Sequence, residues 1–344
     1  PYGQARAARS QPLLLHSMSV FREMFALVFA GREIRTVVEV GVESGQVSSI
    51  YTDLGAQTVY CVDPLPSKEL RDTLAKNPKL KLVERPSPAV LDELPVADLY
   101  VLDGDHNYAI VHGELNWIMK NAPDAVIILH DVLWPCARRD QYYLPSALAP
   151  EEIHETSPSD GSTIWHDELT PAGFVGMGSF VTAKEAGGER NGVLTAVEDA
   201  VSEGGGDWLL EIVPAVFGMG IVVRKSAPGA KKIMAALAPF TSSKLLSMLE
   251  NNRVAMYTRI LQMQYEMVAA ADNADQMAEE ISTQRHEIDR LRAEVEHLKR
   301  ELGRLGDENA HLRHLVPPEP ERGVGPALAL LARSAAAQVR KARN

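Results

Sequence analysis

The chain has 344 residues, a net charge of −11 and 45% hydrophobic residues. That length accommodates one large α/β domain with an appendage. The acidic balance excludes nucleic-acid binding driven by phosphate contacts, and no apolar run of about 18 residues is available to span a membrane. The two cysteines, Cys61 and Cys136, lie far apart without metal-ligand spacing, so a reducing, cytoplasmic setting is expected. The chain opens on Pro1 without an initiator Met, and no targeting is inferred from its start.

Residues 11–30 space their apolar side chains as a helix covering one sheet edge. Nearly continuous apolar runs follow at Val37–Val40, Val59–Val62, Leu80–Arg85, Leu99–Leu102 and Val126–Leu129, alternating with helical stretches. That alternation predicts a parallel sheet buried on both faces. Trp208–Val213 and Gly220–Arg224, separated by a short Pro/Gly-containing turn, predict a terminal antiparallel pair. The expectation for residues 1–225 is an α/β fold: a Rossmann-like, seven-stranded, doubly wound sheet.

The first strand runs into a glycine turn with the order E-x-G-x-x-S-G, formed by Glu39, Gly41, Ser44 and Gly45. The second ends in Asp63, eighteen residues past Gly45, where an acid can hydrogen-bond a ribose diol. A dinucleotide site calls for G-x-G-x-x-G and a pyrophosphate on the helix N-terminus. An acid beside the turn repels a diphosphate and suits a ligand with a cationic end, such as S-adenosylmethionine. A nicotinamide-dependent oxidoreductase on the same topology is the competing enzyme reading, and a non-enzymatic scaffold is a third.

The fourth run leads into Asp103, Asp105 and His106, and the fifth ends in His130 and Asp131. In a parallel sheet these strand ends share one edge with Gly41–Gly45 and Asp63. Residues 133–180 hold Trp134, Arg138, Arg139, Tyr142, Tyr143 and Trp165 among many Pro, Gly and Ser. They follow a strand C-terminus, so a substrate-covering insertion is expected. The aromatics could stack on an acceptor and the arginines could reach an acidic group on it, although Arg139 and Asp140 also make sense as a surface ion pair.

Residues 226–262 read as a helical connector broken by Pro228 and Pro239. Over residues 263–316 apolar residues recur in an unbroken heptad register, with Ile281, Ile288, Val295 and Leu302 at position a and Leu291, Leu298, Leu305 and Leu312 at position d. β-Branched residues at a, Leu at d and Asn309 at an a position predict a parallel two-stranded coiled coil. The pairs Glu280/Arg285, Glu287/Arg292, Glu294/Lys299 and Glu308/Arg313 are opposite in sign, as a parallel homodimer needs. Gly303 and Gly306 weaken the helix locally, by about 1 kcal/mol each relative to Ala. Pro317, Pro318 and Pro320 end it. The basic tail spans 317–344, and from Pro326 on it carries Arg333, Arg340, Lys341 and Arg343 without an acid, which suits contact with an anionic membrane or a partner as well as a solvated terminus.

The motifs VEVGVESG, VYCVDP, DGDHNY and LHD together resemble the class I S-adenosylmethionine-dependent methyltransferases. Within that class the chain is similar to the branch holding macrocin-type and other sugar O-methyltransferases and cephalosporin hydroxylase-like proteins. The resemblance covers about residues 30–225. It implies that Gly41, Ser44 and Gly45 pack on the donor, with Glu39 toward its amino-acid end, Asp63 and Asp103 beside it, and Ser87 near the adenine. It implies a divalent metal, Mg²⁺ or Mn²⁺, on Asp103, His130 and Asp131, with His130 standing where an acid is usual and shifting preference toward Mn²⁺. Asp105 or His106 would be the base, and the acceptor a sugar hydroxyl or, failing that, a non-sugar natural product.

Overall fold

A computed structural model describes residues 17–316 and 325–341. Residues 11–16 of the first expected helix, the three prolines after the heptads and Arg343 lie outside the described residues. The strands are β1 (Thr36–Val40), β2 (Thr58–Val62), β3 (Leu80–Val83), β4 (Leu99–Leu102), β5 (Val126–Leu129), β6 (Gln141–Tyr143), β7 (Thr156–Ser157), β8 (Phe180–Ala183), β9 (Trp208–Val213) and β10 (Met219–Arg224). The helices are α1 (Arg22–Gly31), α2 (Gln46–Asp53), α3 (Lys68–Leu74), α4 (Tyr108–Asn121), α5 (Val193–Glu203), α6 (Ala230–Thr241), α7 (Lys244–Leu315) and α8 (Gly325–Lys341).

Seven strands form one sheet in the order β3-β2-β1-β4-β5-β10-β9. The first five are parallel, β10 runs antiparallel to β5, and β9 pairs antiparallel with β10. Alternating side chains leave each strand on opposite faces. Val37, Val59, Leu99, Ile128 and Ile221 pack in one core with Phe25 and Val28 of α1 and Ile233 and Leu237 of α6. Val38, Val40, Tyr100, Ile127 and Val222 pack in the other with Val111, Leu115 and Ile118 of α4 and Val197 of α5. Both faces are thus covered, and the expected doubly wound sheet is present. Because the chain order reverses beside β1, a crevice opens there beyond the strand C-termini.

The chain divides into two compact units, Pro1–Ala269 and Ala270–Asn344. The 226–262 stretch holds α6 and the start of α7 and belongs to the first unit. Pro239 does not break it: α6 continues through that residue to Thr241. Glu250, near the start of α7, is buried and accepts from Val216 N and Phe217 N, pinning the turn before β10. In the second unit the helix passes Gly303 and Gly306 without interruption. No helix among the described residues is long and apolar enough to cross a membrane.

The insertion is more ordered than its composition suggested. β6, β8 and β7 form a small antiparallel sheet that reaches Ala183, a little past the expected limit. Its arginines are structural. Arg138 makes a two-pronged pair with Glu198, at 2.6 and 2.9 Å, and a third bond to Thr195. Arg139 is buried and donates to the carbonyls of Ala183, Lys184 and Asp167, while buried Asp140 accepts from Tyr108 N, Gly192 N and the Tyr142 hydroxyl. Neither arginine lines the main cavity, and Arg139 and Asp140 form no surface pair.

Candidate active site

The crevice over β1 and β4 is a cavity of about 860 Å³, within the range of small-molecule sites. Every residue singled out from the motifs lines it except Gly45. Gly45 instead caps α2 in the left-handed region, at φ 74°. Gly41 has φ 82°, and a Cβ there would lie 2.1 Å from the Asp103 carbonyl oxygen. Its amide donates to Val62 O and Asp103 N donates to Val40 O, so the turns after β1 and β4 are stitched together at van der Waals limits. Only glycine satisfies both the dihedral and the contact.

Glu39, buried on β1, accepts from the Ser48 hydroxyl of α2. Burial, with Asp103 adding to it, pushes its carboxyl up to about 8. Asp63 at the end of β2 accepts from Leu65 N at 2.9 Å. Ser87 closes another part of the wall, and its Oγ is buried without a hydrogen-bond partner. Near it in the wall is a residue the motifs did not flag. Glu114 of α4 is buried, its Oε1 lacks a partner, and burial pushes its carboxyl up to about 8. The signal was present in the sequence: Val111, Leu115 and Ile118 are spaced as a buried stripe, and Glu114 falls on it.

Asp103, His106, His130 and Asp131 converge at the ends of β4 and β5. His130 Nδ1 lies 3.1 Å from Asp103 Oδ1 and 3.3 Å from Asp131 Oδ2, and its Nε2 donates to Val216 O at 2.8 Å. With Nε2 holding its proton, Nδ1 faces two carboxylates and must carry either a second proton or a cation. In the metal-free protein burial disfavours the charged ring, but Asp131 and Asp103 outweigh it and raise the imidazole. Against its own burial cost, Asp103 is held well below the usual carboxylate range by His130 and His106. His106 Nε2 is 3.3 Å from Asp131 Oδ2 and 3.6 Å from Asp103 Oδ1, yet hydrogen-bonds to neither. Asp131 has φ 56°, a strained value for a non-glycine residue that turns its carboxylate into the crevice. Asp103, His130 and Asp131 thus bring one ligand atom each within 4.8 Å of one another.

Asp105 does not cap the next helix. Asn107 does, accepting from Ile110 N. Asp105 Oδ1 accepts from His106 N at 3.0 Å and Tyr143 N at 3.4 Å, and burial raises its carboxyl. Of the four aromatics expected to cover an acceptor, Tyr143 alone lines the cavity, edge-on to His106 with ring centroids 5.6 Å apart. Tyr142 is fully buried, Trp134 packs on Phe174 and Phe217, and Trp165 borders a separate, smaller cavity. The crevice is closed instead by Phe174, Phe217 and Tyr257, the last from the start of α7. His112, His154 and His166 lie elsewhere, near Glu203, Arg190 O and Glu168 O.

No curated protein matches the chain. Among solved structures it is similar to the S-adenosylhomocysteine-bound methyltransferase PaMTH1 of Podospora anserina, at 15% identity and a TM-score of 0.40 over 61% of this chain and 80% of that one. It is similar to a ribosomal protein L11 methylase of Lactobacillus delbrueckii at 16% identity and a TM-score of 0.34, over 62% and 83% of the two chains. A Burkholderia thailandensis 1,6-didemethyltoxoflavin-N1-methyltransferase gives 12% identity and a TM-score of 0.34, over 65% and 83%. Scores this low carry nothing about the reaction. The family model described as a methyltransferase domain matches residues 38–132, from β1 through Asp131 and one residue beyond, the span that supplies the residues named from the motifs.

Proposed function

We propose that the chain is an S-adenosylmethionine-dependent O-methyltransferase acting on a hydroxyl of a sugar, glycoside or glycan. One observation carries the reading: carboxyl groups of seven residues (Glu39, Glu43, Asp63, Asp103, Asp105, Glu114 and Asp131) line the crevice, and no Lys or Arg does among the described residues. Even with Glu39 and Glu114 raised to about 8 by burial, the remaining carboxylates repel the pyrophosphate of a dinucleotide and attract a ligand bearing a sulfonium and an ammonium. The match over residues 38–132 supports the same choice.

The residues present fit that donor. Glu39 would meet its amino-acid end, Asp63 the ribose hydroxyls, and Ser87 Oγ and Glu114 Oε1, both without a hydrogen-bond partner, polar groups of the base. When bound, the donor supplies a methyl group on a cationic sulfur. With the donor bound, an acceptor hydroxyl in the crevice would take that methyl, and Asp105 or His106 would accept its proton. Asp103, His130 and Asp131 would hold a divalent ion, Mg²⁺ or Mn²⁺, that polarises the hydroxyl. Tyr143, which lines the cavity, would contact the acceptor. A parallel homodimer through residues 263–316 belongs to the same proposal. So does contact of the basic tail with an anionic membrane or a partner, supported by exposed Leu328 and Leu331 beside Arg333.

Titration with S-adenosylhomocysteine and with NADH is the first test, and binding of NADH alone would sink the reading. Asp131→Ala is expected to lower turnover by about 10²–10⁴-fold while S-adenosylhomocysteine affinity stays within a few-fold. Turnover at the wild-type rate in that variant removes Asp131 from the chemistry.

A further inference from the structure

Asp131 belongs to two clusters, and the one away from His130 has its own chemistry. His106 Nε2, a carboxylate oxygen of Asp131 and Cys136 Sγ lie within 4.8 Å of one another. We propose that these three side chains form a site for a thiophilic divalent ion, Zn²⁺ foremost, with its remaining position open to the crevice. The site goes beyond the methyl-transfer reading and does not depend on it.

Three observations support it. First, His106 Nε2 is buried without a hydrogen-bond partner, whereas both ring nitrogens of His130 have one. The His106 nitrogen faces the Asp131 and Asp103 carboxylates at 3.3 and 3.6 Å without a hydrogen bond to either, and an ion between it and Asp131 would satisfy both. Second, the 3.3 Å between His106 Nε2 and Asp131 Oδ2 matches the edge of a tetrahedron with bonds of about 2.1 Å, roughly 3.4 Å. Third, a nitrogen, an oxygen and a sulfur ligand select zinc or a similar transition ion over Mg²⁺, which takes oxygen. All three residues line the cavity, and three protein ligands with an open position is the arrangement of a reactive rather than a structural zinc.

In the metal-free protein burial pushes the Cys136 thiol up to about 12, so the sulfur would become a ligand only as an ion displaces its proton. Cys136 Sγ donates to Gln141 Oε1 at 3.3 Å, while Gln141 Nε2 is buried without a partner. On metal binding the thiol proton leaves to solvent, and rotation of the Gln141 amide presents an N–H to the sulfur. With His106 engaged as a ligand, Asp105 remains as the base.

Cobalt titration of the full-length chain reads the site directly, because a thiolate on Co²⁺ gives a near-ultraviolet charge-transfer band and oxygen or nitrogen ligands do not. The band is expected in the wild type and in Cys61→Ser, and lost in Cys136→Ser. Zn²⁺ affinity in Cys136→Ser should fall by more than about 100-fold. X-ray absorption of the zinc-loaded wild type, which needs no variant to fold, should show a sulfur shell at about 2.3 Å. A wild type that binds cobalt without the band, a band that survives Cys136→Ser, or a zinc spectrum without sulfur overturns the proposal. Methyl transfer supported by Mn²⁺ alongside any of those results would leave the proposed reaction standing and this site refuted.

Discussion

Glu39 carries a proton in the free protein at neutral pH because its carboxyl is buried and raised to about 8. Its linkage to folding follows from that direction. The unfolded carboxyl titrates near 4.3, so the stability it contributes is complete below that pH and is lost as pH rises through the folded value. A cation brought beside it reverses the balance by favouring the carboxylate. Binding of S-adenosylmethionine near pH 7 is therefore expected to release up to one proton. Calorimetry in buffers of different ionisation enthalpy should show an apparent enthalpy that varies with the buffer, and Glu39→Gln should abolish the dependence. It should also weaken binding by about 10–100-fold, the worth of a charge-assisted hydrogen bond. No buffer dependence in the wild type would mean that Glu39 stays neutral beside the donor. Motif reading found Glu39 because an acid before a glycine turn is conspicuous. It missed Glu114, which is conspicuous only after α4 is wound into a helix and its buried stripe compared with its composition.

At the scale of elements, the main sheet was legible and the small one was not, for a physical reason. β1, β2, β4, β5 and β10 are largely buried on both faces and are written as nearly continuous apolar runs, while the edge strands β3 and β9 carry a weaker apolar signal interrupted by Lys81 and Glu211. β6, β7 and β8 have two to four residues each, and β6 and β7 are both paired with β8, which lies tens of residues away in sequence. Nothing local specifies them. Arg138 and Arg139 misled similarly, since residue type announces a charge but not its partner. The turn after β1 is different: its geometry is over-determined by strands on either side. Gly41→Ala should therefore destabilise the fold by about 3 kcal/mol or more, combining a left-handed φ with a backbone clash. Gly303→Ala is the contrasting case, since a Cβ there meets nothing within 4 Å on a helix, and it should stabilise the second unit by up to about 1 kcal/mol. Urea midpoints, read by circular dichroism for each variant, check both, and a Gly41→Ala midpoint equal to wild type would show that the two turns can move apart.

For the whole molecule, the second unit carries an uncovered apolar stripe. Ile281, Ile288, Leu291, Val295, Leu298 and Leu305 remain roughly half exposed along one helical stripe, and Leu302 is 71% exposed. Each large apolar side chain left in water forgoes about 1.5–3 kcal/mol relative to full burial. The charged residues flanking the stripe pair only within the helix, as in Arg290–Glu287 and Lys299–Glu296, at surface distances that contribute little. Isolated helices draw most of their stability in proteins from packing an apolar face, so this one is expected to take a second copy of itself. Parallel pairing puts Glu287 opposite Arg292 and Glu294 opposite Lys299, whereas antiparallel pairing brings glutamates together. Light scattering should accordingly give a dimer for the full chain and a lower-order species after deletion of 270–344, with S-adenosylhomocysteine affinity unchanged. The substitutions Leu298→Lys and Leu305→Lys together should also disperse the dimer, without touching the crevice, and should make helix content fall at a lower temperature. An unchanged mass in both variants would place any self-association on the first unit and leave the heptad stripe to a different protein.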